Sequence, residues 1–258
     1  MEMIRSLYTA VSGLVTQEAK QDIITSNLAN ANTTGYKSEN LAVKKFEDVL
    51  LSNYDKKVLN KNQKNTLGTI SLGSKIDETL SYFTQGTLVD TNSATDFGLY
   101  GRGFFTVQGQ NGSTYYTRDG GFHVDLQGYL TSKDGYRVLG IGANGQQQPI
   151  YVGDGKLSVD KSGNIAINGN NTYKFAISDF ENYDSLKKVG DNLYSGQNAT
   201  LSQNFMVNQN SLEASNVNTV SEMVNMMTTM RQFETNQKMV QMIDESLGKA
   251  VNEVGVVR

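Results

Sequence analysis

The sequence predicts an α+β protein in which the N- and C-terminal helices form a discontinuous coiled-coil domain flanking a mostly antiparallel β domain. Three observations predict it. Apolar residues recur at heptad-like spacing near both ends of the chain, the period of helices packing along a seam. Between them, short aromatic and β-branched runs alternate with Gly, Asn and Asp, the punctuation of short strands. The 258 residues hold 25 Gly and a single Pro, Pro149, so turns are plentiful and the helical stretches are unbroken.

At the N-terminus, Ile4, Leu7, Val11 and Leu14 are spaced 3, 4 and 3 apart, and the same count continues through Glu18, Gln21 and Thr25 to Leu28. No Pro or Gly follows Gly13 until Asn32-Thr33-Thr34-Gly35, which supplies stop chemistry, so the helix is expected to reach about Ala31. Residues 1–36 are thus assigned, together with 216–258, to a terminal helical assembly domain. Residues 37–85 are expected to be an extended connector, because Asp55-Lys-Lys-Val-Leu-Asn-Lys-Asn-Gln-Lys-Asn separates only short apolar clusters.

Residues 86–215 read as the β-rich outer domain, with strands at Gly103-Phe-Phe-Thr-Val-Gln, Ser113-Thr-Tyr-Tyr-Thr-Arg and Tyr173-Lys-Phe-Ala-Ile. Two segments, Val124-Asp125-Leu-Gln-Gly128-Tyr-Leu130 and Val159-Asp160-Lys-Ser-Gly163-Asn-Ile165, share a pattern. In each, Asp is expected to open a tight turn and Gly to take its φ > 0 position.

At the C-terminal end, Met223, Met226, Met230, Phe233, Gln237, Val240, Asp244, Leu247, Val251 and Val254 alternate strictly by 3 and 4, and eight of the ten are apolar. The rise per residue makes this helix about 48 Å long. Polar residues at Glu18, Gln21, Gln237 and Asp244 suit a register-specified helix assembly better than a monomer's own core. Methionine crowds the same helix, which suits a surface that fits several neighbours.

Catalytic chemistry is scarce. There is no Cys and one histidine, so no thiolate site and no multi-His metal centre can be built, and His123 in Gly121-Phe-His-Val-Asp alternates like a strand residue. The Asp-x-x-Gly turns lack the ligand run of a calcium loop, and Gly101-Arg-Gly103 and Gly153-Asp-Gly155 lack the third glycine of a dinucleotide loop. Glu181 and Asp184 have no spacing that singles them out as a glycosidase pair. No catalytic residue, metal or cofactor is expected. A net charge of −3 disfavours nucleic acid or anionic lipid as partners. Met1-Glu2-Met3-Ile4-Arg5 opens no secretory signal and no apolar run is long enough to span a membrane, so no membrane insertion is expected.

Leu7-Tyr-Thr-Ala-Val-Ser-Gly-Leu14 followed by Asn27-Leu-Ala-Asn30-Ala-Asn32-Thr-Thr34-Gly35-Tyr36-Lys37 resembles the N-terminal signature of the flagellar rod and hook axial proteins. Gly101-Arg-Gly-Phe-Phe-Thr-Val with Tyr116-Thr-Arg-Asp-Gly-Gly-Phe is similar to that family's β domain. Ser215-Asn-Val-Asn-Thr-Val-Ser-Glu-Met-Val-Asn-Met-Met with Arg231-Gln-Phe-Glu-Thr-Asn-Gln-Lys is similar to its C-terminal assembly helix.

The resemblance implies a proximal or distal rod protein of the flagellar basal body. It would leave the cytoplasm without a cleaved signal, through the flagellar type III export apparatus, and reside in the periplasm or cell wall. Its partners would be itself and the other axial proteins of rod and hook, and its terminal helices would form the inner tube of a hollow drive shaft. The expected assembly interface is Ile4, Leu7, Val11, Leu14 and Leu28 with Met223, Met226, Met230, Phe233, Val240, Leu247, Val251 and Val254; the family motif contributes Asn27, Asn30, Asn32, Thr34, Gly35 and Tyr36. The competing readings are a hook or hook-junction protein and, from another class, an extracellular cell-wall hydrolase or glycan-binding protein.

Overall fold

A computed structural model of the chain describes residues 2–58, 61–190, 192–202 and 204–254, with residues 2–4, 53–65 and 253–254 described through their backbone alone. Its contacts divide into two compact units: residues 1–28, 39–80 and 219–258, and residues 29–38 with 81–218.

In the first unit, α1 spans Glu2–Ala29 and α2 spans Thr219–Lys249, its final residues Ala250–Val254 wound more loosely as a π-turn. Between them in sequence lie β1 (Glu39–Lys45), β2 (Val49–Val58), β3 (Lys61–Ile70) and β4 (Ser74–Ser81). Strand β1 pairs with β4, and β2 with β3 as an antiparallel ribbon running from Val49↔Ile70 outward. These paired strands occupy most of residues 37–85, the stretch expected to be an extended connector. Backbone donors and acceptors pair across a ribbon whatever the side chains are, so a Lys- and Asn-rich sequence does not prevent it. Helix α1 also stops at Ala29, two residues earlier than its spacing suggested.

The second unit is sheet. Its strands are β5 (Leu88–Asp90), β6 (Phe97–Gly101), β7 (Phe104–Gln108), β8 (Thr114–Thr117), β9 (Phe122–Val124), β10 (Leu130–Ser132), β11 (Arg137–Gly142), β12 (Gln147–Pro149) and β13 (Leu157–Val159). They continue with β14 (Asn164–Ile167), β15 (Asn170–Phe175), β16 (Ile177–Asp179), β17 (Lys187–Gly190), β18 (Leu193–Ser195), β19 (Thr200–Leu201), β20 (Phe205–Gln209) and β21 (Ser211–Glu213). The main path runs β13-β14-β15-β11-β7-β8-β18-β17, and β20 pairs with β6 and β21 with β5; the strand pairings of this unit are antiparallel.

Strand β7 organises the core, because consecutive strand residues point to opposite faces. Phe105 meets Phe122 and Phe175 edge-on at centroid distances of 5.3 and 5.4 Å, within the larger apolar cluster. Phe104 turns the other way, to Phe83, Tyr183 and Tyr194 at 5.5, 5.6 and 5.8 Å. The two repeated turns form as expected. Asp125 Oδ1 accepts from the Gln127 and Tyr129 N–H groups, Asp160 Oδ1 accepts from Ser162 and Asn164, and Gly128 and Gly163 sit at φ 86° and 79°.

Candidate functional site

The helical faces of the first unit follow from which rows its own chain covers. On α1, Thr16, Ile24 and Asn27 are buried. The Thr16 hydroxyl lies 3.3 Å from that of Ser74, and the Ser74 N–H donates to Ser12 Oγ at 3.3 Å. Gly13 faces Asn236 of α2 so closely that a Cβ would lie 3.0 Å from its Nδ2. Arg5, Thr9 and Ala10 then line one groove of about 640 Å³ with Leu51, Ile70, Met239 and Ile243. Of the expected interface on this helix, Leu7, Leu14 and Leu28 are half-buried and Val11 is exposed, beside exposed Tyr8 and Val15; the side chain of Ile4 lies outside the described residues.

On α2 the 3-4 stripe separates into two rows. Met226, Phe233, Val240 and Leu247 are half-buried, beside the row of buried Thr229 and half-buried Asn236 and Ile243. Met223, Met230 and Val251 are exposed, as are Gln237 and Asp244 between them. The polar residues therefore stand where water reaches them in the single chain, and their polarity alone does not call for a register-fixing role. The side chain of Val254 lies outside the described residues. Val220, Val224 and Met227 are also exposed and widen the uncovered apolar face. Their spacing was present in the sequence but belongs to a second register that the longer stripe overshadowed.

The family-motif residues instead make hydrogen bonds inside each unit taken by itself. Asn27 clamps the start of β1: its Nδ2 donates to Glu39 O at 2.8 Å, and its Oδ1 accepts the Glu39 N–H at 2.9 Å. The remaining contacts lie in the second unit. Asn30 closes the turn after α1, accepting the Thr33 N–H and hydroxyl, whereas Asn32 is exposed. Thr34 donates to Asp119 Oδ1 at 2.7 Å. Gly35, at φ 70°, donates its N–H to Glu213 O, and a Cβ there would run into the Asp119 backbone nitrogen; only glycine meets both demands. Tyr36 is buried, with Lys188 Nζ 4.6 Å from its ring centroid.

These residues deliver Lys37, fully buried, to Glu213. Glu213 Oε1 takes Lys37 Nζ at 2.6 Å and the Gly86 N–H at 2.8 Å, while Oε2 takes Arg118 Nη1 at 3.2 Å. Lys37 also donates to Thr84 O, and Arg118 to Gly101 O, both at 2.8 Å. Asn216 locks the same place, accepting the Ser38 N–H and donating to Tyr82 O. Burial pushes the Lys37 ammonium below its ordinary value, Glu213 opposing and Arg118 reinforcing. Sequence reasoning missed this triad: Lys37 and Arg118 sat inside recognisable motifs, but nothing marked Glu213 as their common partner.

His123 is exposed on β9, 3.3 Å from the Thr131 hydroxyl, in an open polar groove of about 620 Å³ that also holds Asp125 and Arg137. Asp125 spends Oδ1 on its turn. Among the described residues no group of three or more His, Asp or Glu is arranged to hold a metal, and no helix is long and apolar enough to cross a membrane.

Comparison with known proteins gives this arrangement its context. Residues 7–37 match the family described as flagella basal body rod protein. Residues 99–167 match the flagellar hook protein FlgE/F/G D1 domain, and residues 208–253 the C-terminal part of flagellar basal body rod FlgEFG proteins. A flagellar basal-body rod protein FlgG of Buchnera aphidicola subsp. Schizaphis graminum is 32% identical over 96% of this chain and 98% of its own length. The chain belongs to the flagellar basal-body rod protein family. The rod protein FlgF of Caulobacter vibrioides, 31% identical, covers 99% of this chain, and the hook-basal body complex protein FlhO of Bacillus subtilis, 29% identical, covers 99%.

As a member of the rod protein family the chain is a structural subunit of the flagellar basal body, and its partners are other axial flagellar proteins. The hook, hook-junction and hydrolase readings are not favoured. Each of the three matched segments supplies one charge of the buried triad: Lys37, Arg118 and Glu213 in turn.

Proposed function

We propose that the subunit polymerises through the uncovered rows of α1 and α2 into a hollow drive shaft, the helices of neighbouring copies packing as coiled coils. The observation that carries this is the exposed apolar face formed by Val220, Met223, Val224, Met227 and Met230 on α2, with Tyr8, Val11 and Val15 on α1. Burying one such side chain against a neighbour contributes about 1.5–3 kcal/mol. A contact between two different faces of identical subunits, repeated without closing a ring, generates a helical filament.

In the same reading the chain is delivered unfolded by the flagellar type III export apparatus and assembles outside the cytoplasmic membrane, in the periplasm or cell wall. It neither inserts into the membrane nor binds nucleic acid, and it uses no cofactor. The net charge of −3 supports the absence of a nucleic-acid surface. Electron microscopy of the purified chain at rising concentration tests the proposal. Tubes of uniform diameter are expected; a chain that stays monomeric at millimolar concentration overturns it.

A further inference from the structure

Methionine is used unevenly in this protein. Nine occur in the sequence, and α2 exposes five of them: Met223, Met227, Met230, Met239 and Met242 are 51, 53, 47, 49 and 56% exposed. Met226, in the same helix, is half-buried on the covered face. A thioether at the surface is open to two-electron oxidation, and the sulfoxide turns a flexible apolar side chain into a polar one that spoils methionine-rich interfaces.

We propose that the exposed methionines of α2 are a reversible modification site, whose oxidation by peroxide blocks assembly of free subunits while assembled subunits are shielded. The blocking step rests on the polymerisation reading above. Chemically, the Met sulfur attacks one oxygen of hydrogen peroxide and the O–O bond breaks. That oxygen stays on sulfur, and the other leaves with both protons as water. Sulfur loses two electrons and the peroxide gains them. The new S–O dipole must then be desolvated for the helix to pack, which opposes the contact. Reduction by a methionine sulfoxide reductase reverses the change.

The test treats the purified full chain with hydrogen peroxide, maps sulfoxide at each methionine by peptide mass spectrometry, and measures the concentration at which tubes form. Met223, Met227, Met230, Met239 and Met242 should oxidise faster than Met226. The critical concentration should rise by about tenfold or more, equivalent to losing about 1.4 kcal/mol of contact energy, and sulfoxide reductase should restore it. A variant with those five methionines changed to Leu, a swap that conserves volume, should assemble and resist peroxide. A Met206→Leu variant, altered at an exposed methionine in β20, should remain sensitive.

Equal oxidation of Met226, normal assembly of the oxidised chain, or peroxide sensitivity of the five-Leu variant overturns the proposal. If the untreated chain forms no tubes, the polymerisation reading fails and takes the blocking step with it. The oxidation map then still decides whether these exposed methionines are the selective site.

Discussion

Lys37 and Glu213 stand 176 residues apart in the chain and meet as an ion pair at 2.6 Å, with both side chains wholly inaccessible to solvent. Arg118 shares the same carboxylate, so two buried cations depend on one anion.

The first prediction follows from that inequality. Removing one partner of a buried ion pair costs about 3–5 kcal/mol because a charge is left buried and uncompensated. Glu213→Gln strands both Lys37 and Arg118, whereas Lys37→Met leaves Glu213 paired with Arg118. Urea unfolding should therefore rank Glu213→Gln as the more damaging change. The reverse order would mean that the triad does not share its charge as the geometry indicates.

A second prediction concerns alkaline pH. Burial pushes the Tyr116 phenol above its ordinary value of 10.0. A group whose folded value is raised contributes stability that is fully present below its unfolded value and lost as pH rises through the folded one. Stability should thus fall above pH 10. The lowered Lys37 value acts with the opposite sign below 10.5, so Tyr116→Phe is compared with the parent, where the Lys37 contribution cancels. The variant should lose less stability between pH 9 and 11; identical alkaline profiles would contradict this.

A third prediction rests on the repeated turns. Gly163, at φ 79°, would place a Cβ 3.0 Å from Phe205 Cε2. The left-handed conformation costs an ordinary residue about 1–2 kcal/mol, so Gly163→Ala should lower the thermal midpoint of unfolding. Asp160→Ala removes the acceptor for the Ser162 and Asn164 N–H groups; both bonds are exposed, so the loss should be about 0.5–1.5 kcal/mol.

These turns were legible in the sequence because the information is local: Asp160 and Gly163 are three residues apart and each does one job. The terminal helices were legible for the same reason, through their period. The ribbon of β2 and β3 was not, since pairing is settled between backbones and the polar residues from Asp55 to Asn65 carry no apolar alternation to announce it. Nor could the 3-4 stripe on α2 tell which row the chain covers. Met230 and Phe233 look equivalent by spacing, yet Met230 is exposed and Phe233 half-buried. The triad lay furthest out of reach, because a buried lysine is intelligible only beside a glutamate 176 residues away.

That difference between Met230 and Phe233 gives a fourth prediction. Phe233→Asp puts a charge on the row the chain itself covers, so the monomer should lose helical stability, seen as earlier cleavage of α2 in limited proteolysis. Proteolysis of the Met230→Asp monomer should match the parent, because surface changes of this kind stay within about 0.5 kcal/mol.

The central claim is that the uncovered face of α2 is a polymerisation surface, and the critical concentration for tube formation by Met230→Asp measures it most directly. Desolvating an unpaired carboxylate costs several kcal/mol, so the variant should remain a folded monomer with an unchanged unfolding transition and form no tubes at concentrations where the parent does. Tubes at the parent's critical concentration would contradict the claim.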